Sequence, residues 1–567
     1  MRQSIEGGVL RLRAIGGLHV VTLAWDFSDG NEGKKEGLLG FTIERSELRD
    51  GQVLERYYLR GTKRFKDKDE GTAPGTPMPT SEHPVQSFQW GDYTVKPATE
   101  YRYKVIPVYG KPKLLELDEA SAATIEIGTE AEQGIAGNNG QTTHDIYFNR
   151  GVAGSQAYAR KYGKTKPDES RPESDQMRWL SRGLYEALIE FIGRAAGADA
   201  ADYKLRAMFY EFRYLPVGLA LKAASNAGAD VRICYEAQTY KDENEEMIHT
   251  ADIQAICQPQ KKREGIRHNK FIVMVHRNRP VAVWTGSTNI SAGGIFGHSN
   301  VGHAIWDSTV AQRYLDYWER LSNPNITRKP LLEANLAAEP TPASNAILPD
   351  DRPLTLFSPR DSKDTIETLH WYAGLMGSAK KMMCMTFAFN LDPLFSEVLQ
   401  QPGEVLRYAL FDKNLEPVEE TKIDQVGNTI IAVGAKLKEG DMQNFLGENL
   451  TGFNRVLYIH NKFMLVDPLG DDPVVVTGSA NFSGPSQYIN DENMIVIRGN
   501  TRVADIYFGE FMRIFDHFYS RYITEKIQKQ GTQNSDAGYL KEKAAEWVPQ
   551  HFKKGRKSLR RCYFMGM

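Results

Sequence analysis

One peptide occurs twice in the sequence, and its repetition constrains the fold more than any other feature. The first copy is His268-Asn269-Lys270-Phe271-Ile272, followed by Gly286, Ser287 and Asn289. The second is His460-Asn461-Lys462-Phe463-Met464, followed by Gly478, Ser479 and Asn481. The spacing from His to Gly is 18 positions in both. One chance occurrence at this composition and length has a probability on the order of 10⁻⁴. Two with the same offset point to an internal duplication. Each copy lies among short apolar runs that read as buried strands: KFIVMV and PVAVWTG in the first, KFMLVD and PVVVTG in the second. Helical and strand patterns alternate around them. The first half reads as a helix over MRWLSRGLYEALIEFIGRA, a strand KLRAMFYEFR, a helix LPVGLALKAASNAG, then strands ADVRICYEA and IQAIC. The second reads as a helix DTIETLHWYAGLMGSA, a strand KKMMCMTFAF, a helix LDPLFSEVLQ and a strand EVLRYALF. Such alternation predicts two α/β halves, over 144–328 and 351–562, joined by a Pro/Ala-rich stretch at 329–350.

Residues 1–128 follow a different pattern. HVVTLAWDF and LLGFTIERS are rich in β-branched and aromatic residues. Val95, Pro97, Thr99, Tyr101, Tyr103 and Val105 alternate strictly, so one face of their strand is buried. This all-β segment resembles a fibronectin type III domain, with Trp25 as the early core tryptophan and Pro97-Thr99-Tyr101 as the turn and tyrosine that pin a late strand. Another β-sandwich is the alternative. The resemblance implies a binding or positioning role, including a protein partner. FKDKDEGTAPGTPMPT is expected to be a mobile loop and 129–143 a linker.

Composition excludes several classes. A length of 567 residues accommodates about three to five domains. Hydrophobic residues make up 41% and charged residues 25%, so a core of useful size is available. The net charge is only -2, so any surface for a polyanion must be local. Cys234, Cys257, Cys384 and Cys562 form no CxxC pair and are too few for a disulfide scaffold, which suits a reducing cytoplasmic location. No apolar run approaches the ~18 residues of a membrane span. Arg11 and Arg13 interrupt the first apolar stretch, which spoils a signal-peptide core.

The repeated residues carry the chemistry. His and Lys two apart on a strand point to one face. An ammonium beside an imidazole attracts an anion, Ser and Asn add neutral donors, and Gly allows close approach to the backbone. Two copies meeting at one point make a clamp for phosphate. One imidazole can attack phosphorus, and the other can protonate the leaving oxygen and then deprotonate water. No HExxH or Cys/His ligand spacing is present, so no metal or other cofactor is expected.

These residues resemble the phospholipase D superfamily, whose signature is H-x-K-x4-D with G-S-x-N downstream. The second copy matches throughout: His460, Lys462, Asp467, Gly478, Ser479 and Asn481. The first has Val275 at the aspartate position. Glu492 matches a carboxylate that follows the second motif, and Gly302 aligns with it in the first half. The resemblance implies a phosphodiesterase with a phosphohistidine intermediate, and branches lacking the aspartate remain active. His276 and His303 are candidates to hold the His268 ring. With Asp467 and Glu492 taken to lie beside His460, His460 is expected to be the general acid and His268 the nucleophile.

Lys261, Lys262, Arg263 and Arg267 precede the first histidine, and a basic strip leading into a phosphate site suits a nucleic-acid backbone. The segment HFKKGRKSLRR is also basic. A nuclease is therefore the first expectation. A lipid phosphodiesterase or transphosphatidylase acting on anionic phospholipid is the second, and a non-catalytic nucleic-acid-binding or scaffold protein the third. One chain carries both half-sites, so catalysis does not require a dimer.

Overall fold

The computed structural model describes residues 1–71, 76–134, 142–163, 165–260, 264–344, 346–350, 352–434, 458–529 and 539–567. The protein is a multidomain α/β chain with an amino-terminal region of antiparallel sheets. In that region one sheet contains Leu10–Gly16 and Val21–Phe27, and a second contains Gly40–Arg49 and Glu100–Lys111. Trp25, Phe41, Ile43, Tyr101, Tyr103 and Val105 fill the core between them. That core also takes in Trp547 and Val548 from the far end of the chain. The Trp547 indole N–H donates to the Leu38 carbonyl at 3.1 Å. Arg561 pairs with Asp26 on the same face.

Two seven-stranded sheets follow. The first runs in the order Thr143–Phe148, Val301–Trp306, Arg279–Gly286, Lys270–His276, Tyr203–Phe209, Asp230–Tyr235, Cys257–Pro259. The second runs Leu354–Ser358, Glu492–Arg498, Val474–Gly478, Phe463–Val466, Met382–Phe387, Leu406–Phe411, Thr429–Val433. Strand sense matches as well: Tyr203–Phe209 and Met382–Phe387 are each parallel to the next outer strand and antiparallel to the motif strand.

Both faces of each sheet are buried, which explains the unbroken apolar runs. Phe271, Val273 and Val275 enter a core common to both sheets, while Ile272 and Met274 enter the outer core of the first. Phe463 and Leu465 likewise enter the common core, and Met464 and Val466 the outer core of the second. Two helices complete the common core. Ser308–Ser322 starts on Asp307, whose carboxylate accepts from the Thr309 and Val310 amides. Thr501–Lys529 contributes Tyr507, Phe511 and Phe515. The shared core presses the two motif strands towards one another.

Some expectations change. The helix over 177–195 is two, Asp175–Ser181 and Leu184–Gly193, broken where Arg182 and Gly183 take φ of 50° and 89°. IQAIC is a 3-10 turn leading into the short strand Cys257–Pro259. The expected joint at 329–350 contains the helix Arg328–Ala338, whose proline lies in the first turn, where no intrahelical amide is required. In the expected mobile loop, Lys66–Lys68 forms a 3-10 turn and Met78–Pro79 pairs with Arg60–Gly61, while 72–75 lie outside the described residues.

Candidate active site

The two motif histidines lie where the sheets exchange chain segments. Arg267 bridges to Asp491, and Ser299 bridges to Ile459. The His268 amide donates to the Asp491 carbonyl at 3.0 Å, and the Asp491 amide donates to Ile266 at 3.0 Å. The segment leading into each motif strand thus lies against a loop of the other seven-stranded sheet.

The imidazoles follow the same exchange. His268 Nδ1 lies 2.8 Å from Glu492 Oε2, and His460 Nδ1 lies 2.8 Å from Asn300 Oδ1. A carboxylate and an amide carbonyl are both acceptors, so in each case Nδ1 donates. Nε2 is left for chemistry on both rings. Ser287 donates to Asn300 at 2.7 Å, and Ser479 donates to Glu492 at 2.8 Å. The motif serines therefore steady the acceptors that hold the histidines.

This arrangement corrects the electrostatic expectation. Glu492 belongs beside His268, not His460. The counterpart of Glu492 is Asn300, not Gly302: Gly286 to Asn300 and Gly478 to Glu492 are both 14 positions. That equal offset was the signal available in the sequence. Asp467 is not brought to the site. Its carboxylate accepts from the amides of Lys380, Lys381 and Met382 at 2.8–2.9 Å, clasping the far end of the strand. His276 lies against Tyr203 and Asp199. His303 bonds His144 at 2.9 Å and the Tyr507 hydroxyl at 3.0 Å. Neither holds His268.

Lys270 and Lys462 are buried beside the histidines, each donating to its own motif-histidine carbonyl. Burial pushes Lys270 down to about 7, against the pull of Glu492 and Glu211. Burial and then the charge of Lys270 hold Lys462 well below its ordinary value. Burial likewise lowers both histidines. Glu492 opposes the effect at His268, whereas Lys462 and His298 add to it at His460. Burial is the main cause at all four groups, and the negative charge of a phosphodiester would favour their charged forms.

Residues that the sequence reading missed complete the site. Tyr210 meets the His268 ring edge-to-face at 4.7 Å and lies 5.0 Å beneath the Lys270 ammonium. Tyr240 meets Tyr210 at 5.2 Å, and Arg213 covers Tyr240 at 5.1 Å. His298 lies over His460 at 5.0 Å. Asn289 donates to the buried Glu211 carboxylate at 2.6 Å. The Asn481 carboxamide oxygen is buried without a partner among the described residues. A cleft of about 870 Å³ leads from His298 past Arg213, Tyr214 and the half-exposed Leu219.

Of the basic strip, Lys261, Lys262 and Arg263 lie outside the described residues. Arg267 is buried, donating to the Glu264 and Gly265 carbonyls beside Asp491, and so does not form an exposed strip. The basic segment 551–561 lies against the amino-terminal strands, through Arg561 and Asp26, and beside Glu404, rather than at the site. Among the described residues, no group of three or more His, Cys, Asp or Glu is placed to hold a metal ion. None of their helices is long and apolar enough to cross a membrane.

The family model described as "Cardiolipin synthase, PLD-like domain" matches residues 196–322 and 420–515. No curated protein matches the chain. Similar solved structures include the phosphatidylserine synthase of Haemophilus influenzae, at 13% identity over 63% of this chain and 92% of that one, with a TM-score of 0.40. The yeast tyrosyl-DNA phosphodiesterase is 11% identical over 54% of this chain and 86% of that one, with a TM-score of 0.30. The phospholipase D family member Nuc of Salmonella typhimurium is 24% identical over 25% and 87%, with a TM-score of 0.22.

Proposed function

We propose that the chain is a phosphodiesterase of the phospholipase D superfamily, acting through a phosphohistidine without a metal. The observation that carries this reading is the crossed pair His268–Glu492 and His460–Asn300, with Lys270 and Lys462 between them. Glu492 accepts the Nδ1 proton and stabilises positive charge on the ring, so His268 Nε2 attacks phosphorus. The P–O bond to the leaving group breaks as the P–N bond forms. His460, held by a neutral amide, protonates the leaving oxygen from Nε2 and then takes a proton from water. Lys270, Lys462, Asn289 and Asn481 receive the phosphoryl oxygens. Ser287 and Ser479 act through Asn300 and Glu492. The arriving diester raises the proton affinity of His460 and both lysines, so binding itself charges the acid.

Nucleic acid is the first substrate class. The observation favouring it is the partly exposed ladder Arg213–Tyr240–Tyr210 ending at His268, because bases stack on such faces while cations follow the backbone. The exposed Leu219 in the cleft, and Phe389 just beyond a strand end, favour phospholipid as the second. Labelled single- and double-stranded DNA, RNA and phospholipid vesicles, each incubated in EDTA, separate these readings. Chelator-resistant cleavage of a nucleic acid is expected. Cleavage of vesicles alone would move the substrate class to lipid, and activity lost in EDTA and restored by Mg²⁺ would overturn the mechanism.

We further propose that the two seven-stranded sheets are pseudo-symmetric halves, 144–328 and 351–562, and that 1–128 is a fibronectin type III-like sandwich. Their common strand order supports the first division. Support for the second is the Tyr101 hydroxyl, which accepts from the Lys96 amide at 2.9 Å as a tyrosine corner does.

Affinity for tungstate, a phosphate mimic, should fall as pH rises through about 7, where Lys270 loses its proton. The protonated lysine attracts the oxyanion and the neutral one does not, so a drop of about 10–100-fold between pH 7 and 9 is expected by calorimetry. Constant affinity over that range would show Lys270 charged throughout.

A further inference from the structure

Glu211 lies two residues beyond the strand Tyr203–Phe209 and matches no part of the repeated motif. It is only 6% exposed. Oε1 accepts from Asn289 Nδ2 at 2.6 Å, and Oε2 accepts from the Arg213 guanidinium at 2.8 Å. Its carbonyl accepts from the Ile290 amide at 3.0 Å, fixing the loop that carries Asn289. Burying a carboxylate is costly unless cations answer it, and Arg213 is itself a third exposed on the cleft wall. Its charge also reaches Lys270 and Lys462.

The duplicated half shows that the fold of a half does not require this group. Counted from the end of Met382–Phe387, the same position is Phe389, which is 42% exposed and apolar. The carboxylate is thus confined to one side of the site.

We propose that Glu211 is a positioning residue of the reaction: it aims the Asn289 amide at a phosphoryl oxygen and balances the two buried ammonium groups around the substrate. The proposal rests on the phosphodiesterase reading above. Besides Glu211, the charged or titratable groups facing Lys270 and Lys462 among the described residues are Glu492, Asp412, His268, His460, Tyr210 and the other ammonium; Arg213 faces Glu211 itself. Glu211 is a negative charge in this set. Removing it should make both lysines release their protons at lower pH.

The test is the pH profile of kcat/KM for a chromogenic phosphodiester, with tungstate binding alongside. Glu211→Gln keeps the size and an oxygen for Asn289 but removes the charge. It should raise KM about tenfold and move the alkaline limb to lower pH by about half a unit to one unit. Glu211→Asp keeps the charge, so it should lower kcat while leaving the limb in place. Equal loss at every pH in Glu211→Gln, with the limb unmoved, would reduce Glu211 to a structural residue and overturn the proposal. Collapse of both variants in thermal unfolding would do the same. A folded wild type that neither turns over the diester nor binds tungstate would instead sink the phosphodiesterase reading on which the proposal stands.

Discussion

His268→Ala and His460→Ala are each expected to lower phosphodiester turnover by about 10⁴-fold or more, with the double variant little worse than either. Nucleophile and acid flank one phosphorus, so removing one disables the same step as removing the other. Steady-state turnover of a chromogenic diester checks this, and variants that each kept half the rate would mean two independent sites. The crossed hydrogen bonds also give the histidines different roles. His460→Asn retains a His268 oriented by Glu492 but lacks the group that activates water. With a leaving group that needs no proton, it should accumulate a phosphoryl adduct on His268, located by peptide mapping. An adduct on His460 in His268→Asn, with none on His268 in the converse variant, would reverse the assignment.

Glu492→Gln should lower turnover by roughly 10³–10⁴-fold, the scale on which a buried carboxylate that orients a catalytic imidazole acts. Glu492 is fully buried and accepts from both His268 and Ser479, so the substitution removes charge at the nucleophile while leaving the packing nearly unchanged. Asn300→Asp adds a carboxylate at the other ring. It should raise the proton affinity of His460 and move the alkaline limb of the rate profile to higher pH, because the acid keeps its proton longer. Carrying both substitutions exchanges the environments of the rings, and the trapped adduct should shift towards His460. A Glu492→Gln enzyme within tenfold of wild type would remove the basis for naming His268 the nucleophile.

The α/β alternation and both motif strands were legible because their apolar runs are local and buried on both faces. The helix break at Arg182-Gly183 was harder to see, since apolar spacing continues through it and only the glycine marks a left-handed turn. The candidate site was legible in its residue types but not in its pairings. His268 and Glu492 are 224 positions apart and meet only because each half lends a loop to the other. Reading each half alone placed Glu492 beside the histidine nearer in sequence, and so arrived at the role assignment through the wrong electrostatics. Asp467 could not be told from a catalytic group by spacing, because what it holds is backbone. Glu211 has no signature of its own; its role depends on Asn289 arriving from a different strand end.

Trp547 and Val548 close a core whose other members lie within the first 127 residues. During synthesis, at about 5–20 residues per second, the interval between Ile127 and Trp547 is roughly 20–80 s. Throughout it, that strand region lacks its last wedge. A chain stopped in the second sheet would lack Trp547, and one stopped before position 460 would also lack the second imidazole. Such a product would display an open apolar seam, the kind of surface by which chaperones and proteases sort incomplete chains.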